Sequence, residues 1–344
     1  SMERWEEVRR DAEAIGRMSL PKDATVDRHS ESTVADEWKR IFDLLMIAYR
    51  LPSRSRRLIG RQSQGGVLTD PLSAGIDVLT GSEDPYGYEK RERREQTEKL
   101  PIRFSNDFLL DTTASMTAQN SEGVTLLELE RQFVLSSVYA GYRLNERIKQ
   151  RIAELANVPT ITHHILTIHG GSKWQEVLKT APAELKELAA IDESMRRPTR
   201  GAGGMAEALE HYVKTLEEDA STVAALANGD MLKTLTIMTD DNLWCAICGQ
   251  ESCNYMLHGP TIKRVNKALS RARELGVVVN AIGFTEQSRP VAVLFAVEGD
   301  PEAAVVVETL GEALASHHRQ TIRAMRPVIA AAQKKSGMTS TKLL

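Results

Sequence analysis

The chain has 344 residues, enough at about 150 per domain for one large domain or two ordinary ones whose core needs no disulfide staples. Lys and Arg number 44 against 47 Asp and Glu, and the net charge of -3 excludes the basic balance of general nucleic-acid binders. Apolar residues at 42% and charged residues at 26% exclude a disordered or fibrous chain, and no run reaches the roughly 18 apolar residues of a spanning helix.

The start, Ser1-Met2-Glu3-Arg4-Trp5, lacks the apolar stretch of a signal peptide; Ser1 reads as a residue left by tag removal, and a cytoplasmic protein is expected. Trp38, Ile41, Phe42, Leu45 and Tyr49 recur at three and four residues and predict a helix, opened by a capping box between Thr33 and Asp36 and closed by Leu51-Pro52. Arg50, Arg54, Arg56, Arg57 and Arg61, followed by Gln64-Gly65-Gly66, read as a basic surface loop. Such a loop either contacts phosphate or an acidic protein, or is neutralised by nearby carboxylates. The alternating charges from Glu89 to Glu95, after the turn Asp84-Pro85-Tyr86-Gly87, read as a solvated helix face or linker. A helical or irregular N-terminal region over 1–100 is therefore expected.

From Ile102 short apolar runs alternate with long amphipathic stretches, which predicts an α/β fold: a doubly wound, mostly parallel, Rossmann-like sheet over 101–326, with a flexible tail over 327–344. Strands are expected at Phe104–Leu110, Ile161–Ile168, Lys233–Met238, Val277–Phe284 and Ala303–Val307. Helices are expected at Thr125–Leu155, within Lys173–Ala190, at Ala206–Leu216, at Thr261–Leu275 before Gly276, and at Thr309–Met325.

At the exit of the first of these strands, Asp111-Thr112-Thr113-Ala114-Ser115-Met116 sets a carboxylate and two hydroxyls at alternate positions, able to face one point. In a doubly wound sheet a second acidic strand end comes near the first, and Asp240 in Met238-Thr239-Asp240-Asp241 supplies it. A hard cation such as Mg²⁺ takes carboxylate, hydroxyl and water oxygens and leaves a position for a partner's oxygen. Without an ion the same residues form a strand-end capping cluster.

These residues resemble the metal-ion-dependent adhesion site of the von Willebrand factor A domains, Asp-x-Ser/Thr-x-Ser plus a later Asp, with Asp111, Thr113, Ser115 and Asp240 in its slots. Gly203-Gly204-Met205-Ala206-Glu207 resembles the family's middle loop, but Met205 stands where that loop carries threonine, and a thioether is a poor ligand for a hard cation. Thr199 lies several residues too early to substitute simply. The layout is most similar to bacterial intracellular members, the subunits of magnesium and cobalt chelatases and those paired with MoxR-type AAA+ ATPases. The resemblance implies a non-enzymatic scaffold that recruits a protein partner through Mg²⁺, that partner being an AAA+ ATPase engaged in complex assembly or metal insertion. An enzyme using Asp111 as a phosphoryl nucleophile lacks a paired acid, lysine or phosphate cradle in the right context.

All three cysteines fall just after Asp240, spaced as Cys245-x2-Cys248-x4-Cys253-x4-His258. Three thiolates and an imidazole suit a closed, tetrahedral Zn²⁺ site. The alternatives are three reduced thiols, with Cys245 and Cys248 free to pair, or an iron-sulfur cluster, which lacks its fourth cysteine. His258 precedes Gly259-Pro260, and His163, His164 or His169 could take its place; otherwise those three read as satisfied strand histidines and His317-His318 as a solvated helix pair. With such a loop, the alternative function is an RNA- or ribonucleoprotein-associated module in which the Arg50–Arg61 stretch contacts phosphate.

Overall fold

The computed structural model describes residues 2–21, 32–50, 57–62, 67–68, 88–92, 103–151, 161–171, 173–180, 187–200, 203–240 and 259–335. The chain divides into two compact units, one of 1–46 with 101–328 and one of 47–100 with 329–344. Helix α1 spans Met2–Gly16 and α2 spans Val34–Arg50. The capping box at the start of α2 is reciprocal: Asp36 N donates to Thr33 Oγ1 at 3.2 Å and Thr33 N to Asp36 Oδ2 at 3.0 Å.

In the second unit β1 (Arg57–Gln62), β2 (Val67–Leu68) and β3 (Tyr88–Glu92) form an antiparallel sheet with β3 in the middle. This corrects two expectations, the basic loop at Arg57 and Arg61 and the helix or linker from Glu89. The pairing register gives the physical reason. It sets Arg57 opposite Glu92 and Arg61 opposite Glu89, so the alternating charges of the sequence fall at paired backbone positions of opposite sign. Arg54 and Arg56 lie outside the described residues.

The first unit is built on β4 (Arg103–Asp111), β5 (Ile161–Thr162), β6 (Ile165–His169), β7 (Lys173–Leu178), β8 (Met231–Thr239), β9 (Val278–Phe284) and β10 (Ala304–Val307). Their order is β10-β9-β8-β4-β6-β7 with β5 also on β4, and all pairs are parallel except β6 with β7. This is an α/β, Rossmann-like sheet. The chain leaves β4 toward β6 and β7, then returns to the other side for β8, β9 and β10, so the switch point lies between β4 and β8. Strand β7 corrects the helix expected from Lys173. It folds back antiparallel on β6 through Gly170-Gly171, where Gly171 takes a φ of +77° that suits a residue without a Cβ.

Helices α3 (Leu126–Arg151), α4 (Glu187–Met195), α5 (Met205–Glu218), α6 (Ala220–Ala227), α7 (Gly259–Glu274), α8 (Arg289–Leu294) and α9 (Leu310–Lys335) complete the described elements. Strand β4 is buried from Phe104 to Asp111, as a strand covered on both faces must be. On one face Leu109, Ile168 and Ile237 pack with Leu209 and Tyr212 of α5 and Val265 and Leu269 of α7. On the other, Phe108 meets Phe133 of α3 edge-on at 5.9 Å, and His317 of α9 lies 5.1 Å from Phe133. His317 and His318 are therefore buried rather than solvated, and burial pushes His317 down to about 3. Among the described residues no helix is long and apolar enough to cross a membrane.

Asp192 of α4 ties the N-terminal helix to the sheet unit. Its fully buried carboxylate pairs with Arg131 of α3 at 2.5 Å, Arg196 at 2.6 Å and Arg4 of α1 at 3.3 Å. Removing it leaves Arg131, itself nearly buried, without its deepest partner. Asp192→Ala is expected to cost about 3–5 kcal/mol, read from the denaturant midpoint, whereas the exposed partner Glu193→Ala is expected to cost about 1 kcal/mol or less.

Candidate metal centre

The carboxyl ends of β4 and β8 lie side by side, with Leu110 paired to Met238. Beyond Asp111 the chain stays extended through Thr113 (φ -71°, ψ 163°) and then turns into a 3-10 helix at Ala114–Thr117. That conformation brings alternate side chains together. Asp111 Oδ1 accepts from Thr113 N at 2.9 Å and from Thr113 Oγ1 at 2.7 Å, and Thr239 at the end of β8 donates to Asp111 Oδ2 at 2.7 Å. Thr113 Oγ1 lies 3.0 Å from Ser115 Oγ, which donates to Asp240 Oδ1 at 3.0 Å. Asp111, Thr113, Ser115 and Asp240 thus form one continuous chain across the switch point.

The chain Asp111–Thr113–Ser115–Asp240 has three oxygen–oxygen contacts but only two hydroxyl protons to fill them. With both carboxylates ionised, one contact lacks a proton. A proton held on a carboxylate corrects the deficit, and so does a cation seated against the hydroxyl lone pairs. Burial raises Asp111 above its usual range against the hydrogen bonds of Thr113 and Thr239, and none of these groups is a cation. The donors are all oxygen, the set that a hard divalent ion prefers, so the residues present fit Mg²⁺.

The middle loop supports the site differently from expectation. Met205 is buried in the core with Leu109 and Ile168, so its sulfur fills space at the sheet face instead of standing at a ligand position. Thr199 forms a parallel bridge with Thr113, takes the N–H of Gly170 at 2.7 Å and donates to Thr112 O at 3.1 Å. It braces the strand-end loop. Gly203 passes so close that a Cβ there would sit 3.4 Å from Thr113 Cγ2.

Two neighbours of the site were not singled out from the sequence. Thr239 is one, and its signal is its place beside Asp240 at a strand end. Glu130 of α3 is the other: it is fully buried, its Oε1 accepts from Asp111 N at 2.9 Å, and its Oε2 has no hydrogen-bond partner among the described residues. Burial pushes Glu130 well above the ordinary carboxylate range, and the charges of Asp111 and Asp240 add to the rise. Its signal is a carboxylate on the helical stripe of Leu126, Phe133 and Val134.

Cys245, Cys248, Cys253 and His258 lie outside the described residues. His163 Nδ1 meets Asn106 O at 2.7 Å, His164 Nε2 meets Glu176 Oε2 at 2.7 Å, and His169 Nε2 meets Thr167 Oγ1 at 2.8 Å. Among the described residues no group of three or more His, Cys, Asp or Glu side chains is arranged to hold a metal, so the candidate centre consists of two carboxylates and two hydroxyls.

No family model matches the sequence, and no curated protein matches it. Solved structures show distant, partial likenesses to it. The manganese-loaded TRAP protein of Plasmodium vivax is 12% identical over 66% of this chain and 73% of its own, with a TM-score of 0.37. The open conformation of the pilus adhesin SpaC from Lactobacillus rhamnosus GG is 10% identical over 67% of this chain and 30% of its own, with a TM-score of 0.44. The conserved hypothetical protein BatB from Bacteroides thetaiotaomicron is 12% identical over 65% of this chain and 99% of its own, with a TM-score of 0.40. The match therefore spans under a third of the pilus adhesin.

Glu130 makes the site's electrostatics testable through stability. Its folded-state pKa lies above the unfolded value near 4.5, so between those two values the folded state holds a proton that the unfolded state has lost, and stability falls as pH rises. Glu130→Gln keeps the acceptor for Asp111 N and removes the titration. The variant is expected to be more stable than wild type at pH 8, with the gap closing as pH falls toward 4.5; a gap independent of pH in denaturant melts would contradict the assignment.

Proposed function

We propose that the α/β unit is a von Willebrand factor A-type interaction module, and that a divalent cation held by Asp111, Thr113, Ser115 and Asp240 recruits a protein partner through an acidic side chain. The observation that carries this reading is the continuous chain of carboxylate and hydroxyl oxygens joining two strand ends at the switch point. When bound, Mg²⁺ would supply positive charge and coordination positions that the protein leaves open. Thr113 and Ser115 would offer hydroxyl oxygens, Asp111 and Asp240 would orient those hydroxyls and balance the charge, and Thr239 would hold Asp111 in place.

The partner and setting extend the reading further: a cytoplasmic, non-enzymatic scaffold working with an AAA+ ATPase of the MoxR or chelatase type. Its support is the resemblance of motif and layout. The protein-binding reading is preferred to the RNA-associated one because the net charge of -3 lacks the basic balance of general nucleic-acid binders. The segment from Cys245 to His258 carries a separate Zn²⁺ proposal resting on ligand type and spacing. Zinc content by mass spectrometry, wild type against Cys248→Ser, reads it, and the same low content in both would end it.

Calorimetric titration of metal-stripped protein with MgCl2 and MnCl2 tests the main reading. Saturable binding is expected, weakened by roughly tenfold or more in Asp111→Ala and Thr113→Val. The partner should be captured from native extract in Mg²⁺ and released by EDTA. Wild-type protein that takes up neither ion overturns the proposal.

A further inference from the structure

At the opposite end of the same sheet, the amino ends of β4, β5 and β8 open into a cleft of about 550 Å³ closed by α5 and the start of α6. Its floor is a buried ion pair. Lys233 of β8, with 8% of its surface exposed, approaches Asp107 of β4 at 2.7 Å, and Asp107 is fully buried. Asp107 also accepts from Ser105 Oγ at 2.6 Å, His164 N at 2.9 Å and Tyr212 Oη at 2.7 Å. Burial alone would raise this carboxyl, but the charges of Lys233 and His164 hold it below the usual carboxylate range.

Four donors, Lys233 among them, saturate Asp107, so the carboxylate takes one of the ammonium's N–H groups and no more. The ammonium carries three N–H donors. One goes to Asp107 and one to Ser105 Oγ at 3.2 Å, while the side of Lys233 that lines the cleft faces the Tyr212 ring, 5.7 Å away, and the open volume.

The charges on the walls decide what such a cleft takes. Glu218 and Asp219 line it, but Glu218 pairs with Lys214 at 3.9 Å and Asp219 caps α6, accepting from Thr222 N at 3.0 Å and Thr222 Oγ1 at 2.7 Å. The two cations at the mouth are less engaged. Arg103 and Lys179 make no ion-pair contact with a described residue, although the charge of Lys179 reaches Glu176. Asp219 is engaged at the α6 cap and also feels the charge of Lys233, and Glu218 stays largely exposed beside Lys214, so among the described residues Arg103 and Lys179 are the lining charges without an ion-pair partner. The volume lies in the range of small-molecule sites, roughly 300–1,000 Å³, far more than a bare oxyanion fills. Thr162 and Thr215 add hydroxyls to the lining, that of Thr215 also 3.3 Å from His211 Nε2.

We infer that this cleft binds a small hydroxylated organic anion, its phosphate or carboxylate head held by Lys233, Arg103 and Lys179 and its hydroxyls by the threonine-lined wall. It is separate from the cation site, which occupies the carboxyl ends of β4 and β8.

Thermal shift and calorimetry at constant ionic strength, with ribose 5-phosphate, gluconate and inorganic phosphate as probes, test the inference and separate phosphate from carboxylate. Saturable stabilisation by at least one organic probe is expected. The double variant Arg103→Gln/Lys179→Gln should weaken it roughly tenfold or more, while Lys149→Gln/Lys267→Gln, which removes equal charge elsewhere, should leave it unchanged. Lys233→Met should abolish it, but that variant strands Asp107, so the surface pair is the deciding comparison. No saturable effect from either organic probe, or one equally weakened by both double variants, overturns the inference.

Discussion

A buried carboxylate at the end of a central strand is the constraint around which the rest of the first unit is arranged. Asp111 closes β4 with its side chain buried, so its lone pairs are met largely from within the fold. Thr113, Thr239 and the backbone of the turn meet them, and in doing so draw in Ser115 and Asp240. Thr199 and Glu130 in turn hold the turn and the Asp111 backbone. The site is thus a consequence of satisfying one buried carboxyl group with hydroxyls in place of a basic side chain.

Strand β4 carries a second buried carboxylate, and the contrast explains the chemistry at each end. Asp107 and Asp111 lie four residues apart and are equally inaccessible, yet burial prevails in one and is overcome in the other. Asp107 has Lys233 beside it and is held ionised. Asp111 has only neutral donors and is raised. One end of the strand therefore completes its charge balance inside the fold, and the other is balanced by a proton or by a cation from outside. The same reasoning separates structure from function along the chain: Asp192, met by three arginines, is a tie between helices.

The fold was legible where burial writes a simple pattern. Strands β4, β8 and β9 are covered on both faces and read as short apolar runs such as Phe108–Leu110 and Leu235–Met238 among buried polar residues, and the capping box of α2 and Gly276 after α7, with its φ of +91°, mark helix ends by local chemistry alone. The candidate site was legible for the same reason, since Asp111, Thr113 and Ser115 alternate along an extended chain whose next strand end is acidic. Strand β7 was not, because an edge strand with mixed exposure has the texture of an amphipathic helix; only Gly170-Gly171 betrays the hairpin. Strand β3 is charged from Glu89 to Glu92, and the opposite charges at its partner's paired positions are visible only once register is known. His317 and His318 fall on the buried stripe of α9 with Leu314 and Ile322, so helical spacing outweighs their polarity. The bracing role of Thr199 depends on a bridge to Thr113 that no local pattern encodes.

A cation completing the oxygen chain between Asp111 and Asp240 is the central claim, and anomalous diffraction from crystals grown with Mn²⁺ tests it most directly. The expected result is a single strong peak at the switch point, roughly 2 Å from Thr113 Oγ1 and Ser115 Oγ, with Asp111 and Asp240 around it. No peak there, with Asp111 and Asp240 turned to different faces of the sheet, would contradict it.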